Sequence, residues 1–141
     1  MKLIFKSKLH GFSLLELLIV LAIVAILAGI SFPSYQSHLI KARRTDGQVA
    51  LFHLAAAMEK YAVDNQGYQG AVLEALKINS ESFQKYYQLH IIKAEEMDFL
   101  ISAEPINTQT KDKACGILAM NDKGEKGILA GNQLVVDKTC W

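Results

Sequence analysis

A long apolar segment near the start of the chain constrains the fold more than any other feature. It covers residues 11–33 and contains one charged side chain, Glu16. The next formally charged residue is Lys41, so residues 17–40 carry no formal charge. At about 1.5 Å per residue in a helix, this stretch can cross a hydrocarbon core of about 30 Å. Any function must explain both the apolar helix and the carboxylate inside it.

The segment divides the chain into three predicted parts: a basic leader at 1–11, an apolar helix at 12–35 and a headgroup at 36–141. The leader holds three lysines and no acidic residue, and the whole chain has a formal net charge of +1. The remainder is therefore slightly acidic, which argues against nucleic-acid binding. The apolar run is longer than a signal-peptide core and lacks a small-residue cleavage site behind it. A cut before the segment, which keeps it on the mature protein, is favoured.

Cysteine usage predicts where the headgroup resides. Cys115 and Cys140 are the two cysteines of the chain. An even count behind an export-like N-terminus favours one disulfide, with two free thiols as the alternative. Basic residues on the two sides of the apolar segment are equal in number, so they do not set its orientation. The cysteines instead place the headgroup outside the cytoplasm.

Helical periodicity continues beyond the apolar segment, through residues 39–62. The predicted helix starts near Phe12, stops at residues 65–67 and has about 50 residues, far above the globular average. Pro33 is expected to kink it, and Gly47 to weaken it by about 1 kcal/mol relative to alanine. The part at residues 39–62 has two neighbouring apolar lines, the first Val49, Phe52 and Ala56, the second Leu51, Leu54, Met58 and Tyr61. The apolar side of this half of the helix is expected to cover the sheet.

Beyond the helix the apolar period changes from helical to alternating. Residues 66–85 are predicted to form a loop with one or two helical turns. Strands are predicted around 87–91, 99–101 and 117–119, with a fourth near 127–129 or 133–136. The predicted fold class is α+β: a long N-terminal helix packed on a small antiparallel β-sheet, with a disulfide-bounded region at the C-terminus.

The sequence contains no recognisable catalytic or metal-binding pattern. Its four histidines lack metal-ligand spacing, and it has no glycine-rich phosphate loop. The acidic residues at 95–98 are interpreted as a solvated turn. We therefore predict no enzyme activity, no cofactor and no metal site.

Glu16 is the first of two features with chemical information. A carboxylate in a membrane helix is costly and normally has a partner. A cut after Gly11 would create an amine at Phe12, which could pair with Glu16 in the same chain or in a neighbour. In the neighbour, the pair would set the register of an assembly. The alternative is that Glu16 lies at the membrane interface, near a helix N-terminus where negative charge is favoured.

The second feature is a basic triplet, Lys41, Arg43 and Arg44. It is interpreted as a solvated helix face or membrane-interface anchor, or as a contact with lipid phosphates or acidic residues of neighbouring subunits. Five further lysines lie in the C-terminal region but are interleaved with acidic residues, namely Lys111, Lys113, Lys123, Lys126 and Lys138 with Asp112, Asp122, Glu125 and Asp137.

Gly11, Phe12, Ser13, Glu16 and the proline at 33 together resemble the class III N-terminal signature of type IV pilins and pseudopilins. The resemblance covers about residues 8–65, and the remaining layout is similar. Short sequence motifs at 86–89, 114–116 and 140–141 resemble those of the minor-pilin branch often called PilE-like. Many major pilins carry a glycine where this chain has alanine at 25, so loosening of the helix between 25 and 33 is left open.

The resemblance implies a processing and assembly route. A prepilin peptidase would cut between Gly11 and Phe12 and methylate the Phe12 amine. Glu16 would recruit a neighbouring subunit, which favours the assembly interpretation of this carboxylate. The chain would first be a single-pass inner-membrane prepilin with a periplasmic headgroup. It would then enter an extracellular filament through contacts with other pilins and the inner-membrane assembly machinery.

The leading hypothesis is a minor pilin of a type IV pilus that supports pilus biogenesis, adhesion, twitching motility or DNA uptake. The first alternative is a pseudopilin of a type II secretion system. The cysteine pair, Cys115 and Cys140, favours the pilin, because pseudopilins more often lack a C-terminal disulfide loop. The second alternative is a DNA-binding uptake pilin, which the mixed charges of the C-terminal region disfavour.

Overall fold

A computed structural model describes residues 12–141 of the chain. Its elements, in chain order, are helix α1 (Leu14–Asn65), helix α2 (Leu73–Leu76), strands β1 (Tyr87–Ala94) and β2 (Phe99–Pro105), a 3-10 helix (Asn107–Lys111), and strands β3 (Leu118–Asn121), β4 (Lys126–Ala130) and β5 (Gln133–Val136). The strands form one antiparallel sheet in the order β1-β2-β3-β4-β5. The predicted α+β fold class is confirmed.

Helix α1 has 52 residues, close to the predicted length. Its first turn includes a hydrogen bond from the Leu17 N–H to the Ser13 carbonyl at 3.2 Å. Its last turn ends at the predicted stop, where Gln66 adopts a left-handed φ of 61° and cannot continue the helix. The helix runs through Pro33 without interruption, and the kink at this proline stays a prediction.

The chain divides into two compact units, one ending at Ser37 and the other comprising His38–Trp141. In the first unit, the large apolar side chains of residues 12–32 are 47–76% exposed. Among the described residues, one helix is long and apolar enough to cross a membrane, and it is α1. The second unit has its own apolar core.

The core of the second unit joins α1 to the sheet. Leu51, Leu54 and Met58 are fully buried, and they belong to the same cluster as Tyr87 and Ile101. Their spacing of three and four residues places them on one helix face. The second predicted apolar line is therefore the core line, although Tyr61 is only half-buried.

The first apolar line does not face the core. Val49, Phe52 and Ala56 are exposed, Val49 at 46%. The sheet covers only one line of the helix, since a single face of about 100° meets a flat layer. Phe52 contacts the C-terminal residue instead, with its ring centroid 6.0 Å from that of Trp141.

Gly47 has a packing role that propensity does not reveal. A Cβ at this position would lie 2.8 Å from the ring of Tyr87. The glycine therefore lets a buried aromatic ring of β1 approach the backbone of α1. Gly47 is expected to weaken the helix, but it is also the residue that permits this close contact.

The C-terminal region is tied to the sheet and to α1. Cys115 and Cys140 form the predicted disulfide, with their Cα atoms 5.6 Å apart. The Gln48 side-chain amide donates to the Cys140 carbonyl at 3.2 Å, and the Trp141 indole N–H donates to the Gly127 carbonyl at 2.8 Å. Both predicted positions for a fourth strand are strands, because β4 and β5 form a hairpin.

Candidate functional site

The predicted assembly residues lie at the start of α1. Glu16 is exposed in the first helical turn, where a negative charge complements the helix dipole. Phe12 is exposed ahead of the helix. Gly11 lies outside the described residues, and the cleavage, methylation and pairing roles stay predictions. What the structure offers here is an apolar surface that no part of residues 12–141 covers.

The basic triplet separates into three different environments. Lys41 is exposed, as expected of a solvated helix face. Arg44 is buried and forms a two-point ion pair with Asp112, with Nε–Oδ2 at 2.6 Å and Nη2–Oδ1 at 2.9 Å. The interpretation of Arg44 as a solvated or intersubunit residue is therefore wrong, because its acidic partner belongs to the same chain.

The Arg44 pair is the centre of a buried polar network. The hydrogen bond to Asp112 raises the pKa of the Arg44 guanidinium above its ordinary value. The Gln109 side-chain amide donates to the Ile40 carbonyl at 3.1 Å and to the Tyr87 hydroxyl at 3.0 Å. These contacts fix the 3-10 helix (Asn107–Lys111) against α1 and β1. The Arg44–Asp112 pair also neutralises one acidic charge of the C-terminal region internally.

Arg43 remains at the surface. Its guanidinium lies 4.7 Å from the ring centroid of Tyr86, and its Nη1 donates to the Thr108 Oγ1 at 3.1 Å. Residues three apart in a 3-10 helix share one face, so Lys111 lies on the face that carries Thr108. Arg43, Tyr86 and Lys111 form what we call the Arg43 surface. It combines two cations with an aromatic ring.

Lys126 occupies a second cation–aromatic site. Its ammonium lies 4.6 Å from the ring centroid of Phe52 and 5.7 Å from that of Trp141. The nearby acid Asp137 accepts hydrogen bonds from the N–H and hydroxyl of Thr139, which lower the pKa of Asp137. The lysine covers apolar rings with its charge still available to solvent.

Sequence reasoning missed the role of Asp46. Its carboxylate accepts hydrogen bonds from the Ser82 hydroxyl and from the backbone N–H groups of Gln84 and Tyr86, the last two at 3.1 and 3.4 Å. This acid therefore anchors the turn before β1 to α1. The signal available was an aspartate beside a glycine within a helix, which breaks local helix preference and marks a special position.

The arrangement supports binding rather than reaction chemistry. Among residues 12–141, no group of three or more His, Cys, Asp or Glu side chains is arranged to hold a metal ion. The predicted absence of enzyme activity, metal and cofactor stays a prediction. The contacts available among these residues are an apolar helix surface and two cation–aromatic sites.

An exposed apolar helix followed by a disulfide-tied antiparallel sheet defines the type IV pilin fold. Two solved structures share it. The Neisseria meningitidis non-core minor pilin PilV aligns with a TM-score of 0.56 and 22% identity, over 72% of this chain and 97% of that one. A type IV pilin from Shewanella oneidensis aligns with a TM-score of 0.51 and 26% identity, over the same shares.

Comparison with sequence families identifies the branch of type IV pilins to which the chain belongs. Residues 33–119, more than half of the chain, match the family described as type IV minor pilin ComP, DNA uptake sequence receptor. The chain belongs to this family. Residues 6–32 match the prokaryotic N-terminal methylation motif. A fimbrial protein of Neisseria meningitidis serogroup B is 26% identical over 129 residues, which cover 91% of this chain and 76% of the relative.

These matches confirm the hypothesis of a type IV minor pilin with a prepilin methylation motif. The protein is a pilus subunit that assembles with other pilins. Its N-terminal motif and apolar helix fit a chain that is first anchored in a membrane and then associated with a pilus. Its family is one of structural subunits.

Proposed function

We propose that this minor pilin binds DNA for uptake through the Arg43 surface of its head. The observation that carries the proposal is the stacking of the Arg43 guanidinium on the ring of Tyr86, beside a 3-10 helix whose Thr108 face also carries Lys111. Cations contact phosphates, and an exposed ring edge or a stacked guanidinium contacts bases. Arg43 uses one of five N–H donors on Thr108, which leaves donors for a phosphate.

The family description supports this proposal, since it names a DNA uptake sequence receptor. The mixed charges of the C-terminal region disfavoured DNA because each of its acidic residues was treated as exposed. Asp112 instead lies in the interior, where Arg44 neutralises it. The second alternative of the sequence analysis therefore ranks above the pseudopilin of a secretion system.

Processing and assembly form the other part of the proposal. The chain is cut between Gly11 and Phe12 by a prepilin peptidase, and the new Phe12 amine is methylated. Residues 1–11 act as leader, 12–35 as membrane and filament helix, and 36–141 as the head. The Cys115–Cys140 disulfide supports a head outside the cytoplasm, in the periplasm and then on the filament.

Glu16 selects neighbours in this proposal. A carboxylate in a dry helix bundle is costly unless a cation meets it. The Phe12 amine of an adjacent subunit supplies that cation in one packing register only. Pro33 then marks the bend in the helix. The inner-membrane assembly machinery moves the chain from membrane to filament, and no enzyme activity or cofactor is involved.

A salt-dependent binding measurement tests the DNA proposal. We expect full-length protein in detergent to bind fluorescent duplex DNA, and a double variant, Arg43→Gln with Lys111→Gln, to bind about tenfold more weakly. The slope of log affinity against log salt should fall in magnitude by about 2, because two phosphate contacts are removed. Lys60→Gln, an exposed lysine on α1, is the matched control.

Two results would contradict the proposal: an unchanged salt slope in the double variant, or equal weakening in Lys60→Gln. Deletion of the gene separates the remaining alternative. We expect loss of DNA uptake with exoprotein secretion intact, whereas loss of secretion alone would favour the pseudopilin.

A further inference from the structure

A groove of about 500 Å³ lies on the head beside α1. Val49 and Ala50 of α1 line it, together with Ile78 from the loop before β1. Leu89 of β1 is buried among the lining residues. Sites for small molecules have volumes in this range and combine mostly apolar walls with a few polar groups. The groove therefore has the size and the walls to hold a small organic molecule.

The formal charges that line the groove are all negative. Asp46 and Glu81 line it beside the imidazole of His53, and no lysine or arginine of the described residues does so. The half-buried Asp46 carboxylate accepts hydrogen bonds from the turn before β1, but within residues 12–141 it forms no ion pair. A carboxylate that meets only neutral donors keeps its charge, and partial burial strengthens its attraction for a cation. The groove therefore favours a cation over an anion of the same shape.

Two exposed lining residues can contact such a cation directly. The carboxylate of Glu81 lies 3.7 Å from the ammonium of Lys85, and both side chains are at least 46% exposed. Water screens a pair of this kind, so another ammonium can displace Lys85 at little cost. Phe83 is 97% exposed, on a turn in which the Ser82 N–H donates to the Tyr87 carbonyl at 2.8 Å. An exposed ring on an anchored turn offers its face to a cation.

We propose that this groove binds a small organic cation, namely a primary ammonium carried on an apolar body. The apolar body packs against the wall that contains Val49. The ammonium meets the carboxylate of Glu81 and the ring of Phe83, and the charge of Asp46 adds to its attraction. DNA does not fit here, since its phosphates would meet carboxylates. The inference is independent of the DNA proposal, because no residue of the Arg43 surface lines the groove.

Three probes of similar shape and different charge test the proposal: phenethylammonium, phenethyl alcohol and hydrocinnamate. Each is titrated into full-length protein in a non-ionic detergent, and equilibrium dialysis gives its free concentration outside the micelles. We expect the ammonium to shift the methyl NMR resonances of Val49 and Ile78 saturably, with a dissociation constant at least about tenfold below that of the alcohol, since charge-assisted hydrogen bonds are the stronger ones. Hydrocinnamate should give no saturable shift, and the methyl resonances of Val135, outside the groove, should not move. Equal affinities for the ammonium and the alcohol, or no saturable shift with the ammonium, would overturn the proposal.

Substitutions at the exposed ion pair separate the effect of charge from that of shape. Glu81→Gln should weaken binding of phenethylammonium several-fold and leave that of phenethyl alcohol unchanged. Lys85→Gln should strengthen binding of the ammonium, because the Lys85 side chain no longer competes for Glu81. Glu74→Gln removes an exposed carboxylate of α2 outside the groove and should bind like the wild type. All three positions are exposed, so the buried Ile101 methyl resonances should keep their wild-type shifts. Affinity for the ammonium that does not fall in Glu81→Gln, that falls in Lys85→Gln, or that falls equally in Glu74→Gln would contradict the inference.

Discussion

The two halves of helix α1 both carry apolar side chains but use them differently. In residues 12–32 the large apolar side chains are at least 47% exposed, whereas Leu51, Leu54 and Met58 in the head are fully buried. The head provides the partner for its own helix line, namely the sheet. The first half has no partner within the described chain. An exposed apolar surface of this size is normally covered by a membrane or by neighbouring subunits.

The largest effect is expected from the charge in the uncovered half. Glu16→Ala should be cut to the same size as the wild type, but its amount in sheared pili should fall at least about tenfold, the ratio that 1.4 kcal/mol produces. Removing one partner of a buried ion pair costs more than this, because the other charge is left unpaired. Immunoblots of cell and pilus fractions measure both quantities.

Two variants make the Glu16 experiment interpretable. Gly11→Leu should remain uncut and gives the size of the precursor. Glu74→Ala removes an exposed carboxylate from α2 of the head and should assemble normally. Wild-type incorporation of Glu16→Ala would remove the proposed role in neighbour selection and leave the membrane-interface interpretation.

The second effect concerns Arg44, a charged residue of the covered half, through its partner Asp112. Asp112→Asn keeps the shape of the side chain but leaves Arg44 buried without its counter-ion. We expect the free energy of unfolding of the head to fall by about 3 kcal/mol or more. Denaturation of the full-length protein in detergent, followed by the fluorescence of Trp141, measures this change. Trp141 is the single tryptophan and packs beside Phe52 in the head.

An exposed ion pair provides the matched control for Asp112→Asn. Asp98→Asn breaks a 3.0 Å contact with Lys93 in which both side chains are more than 40% exposed. Its effect should stay below about 1 kcal/mol, since water screens such pairs. Equal losses in the two variants would show that burial does not distinguish them.

Sequence patterns predicted the helix, the positions of the strands along the chain and the disulfide, because each leaves a local periodic or compositional signal. They did not predict which apolar line of α1 meets the sheet, since Leu54 and Phe52 differ only in the direction they face in three dimensions. They also assigned Arg44 to the surface. Its partner, Asp112, is remote in sequence, and a long-range ion pair leaves no local pattern.

The smallest effect contrasts a tyrosine in the core of the head with a tyrosine in the first half of α1. Burial raises the pKa of Tyr87 to about 12, from an ordinary value of 10.0. The folded head therefore holds the Tyr87 proton at pH values where the unfolded chain has lost it. The resulting stability is complete below pH 10 and is lost as the pH rises towards 12, by roughly 2 kcal/mol in all.

Removal of the phenol should flatten this alkaline dependence. Tyr87→Phe loses the hydroxyl that accepts a hydrogen bond from Gln109, so its baseline stability is lower, but its free energy of unfolding should decline less between pH 10 and 12. Tyr35→Phe, at an exposed position of the first half, is the control and should keep the slope of the wild type. Circular dichroism during denaturation of full-length protein at each pH gives the free energies. Identical slopes in Tyr87→Phe and the wild type would mean that Tyr87 does not carry the alkaline sensitivity of the head.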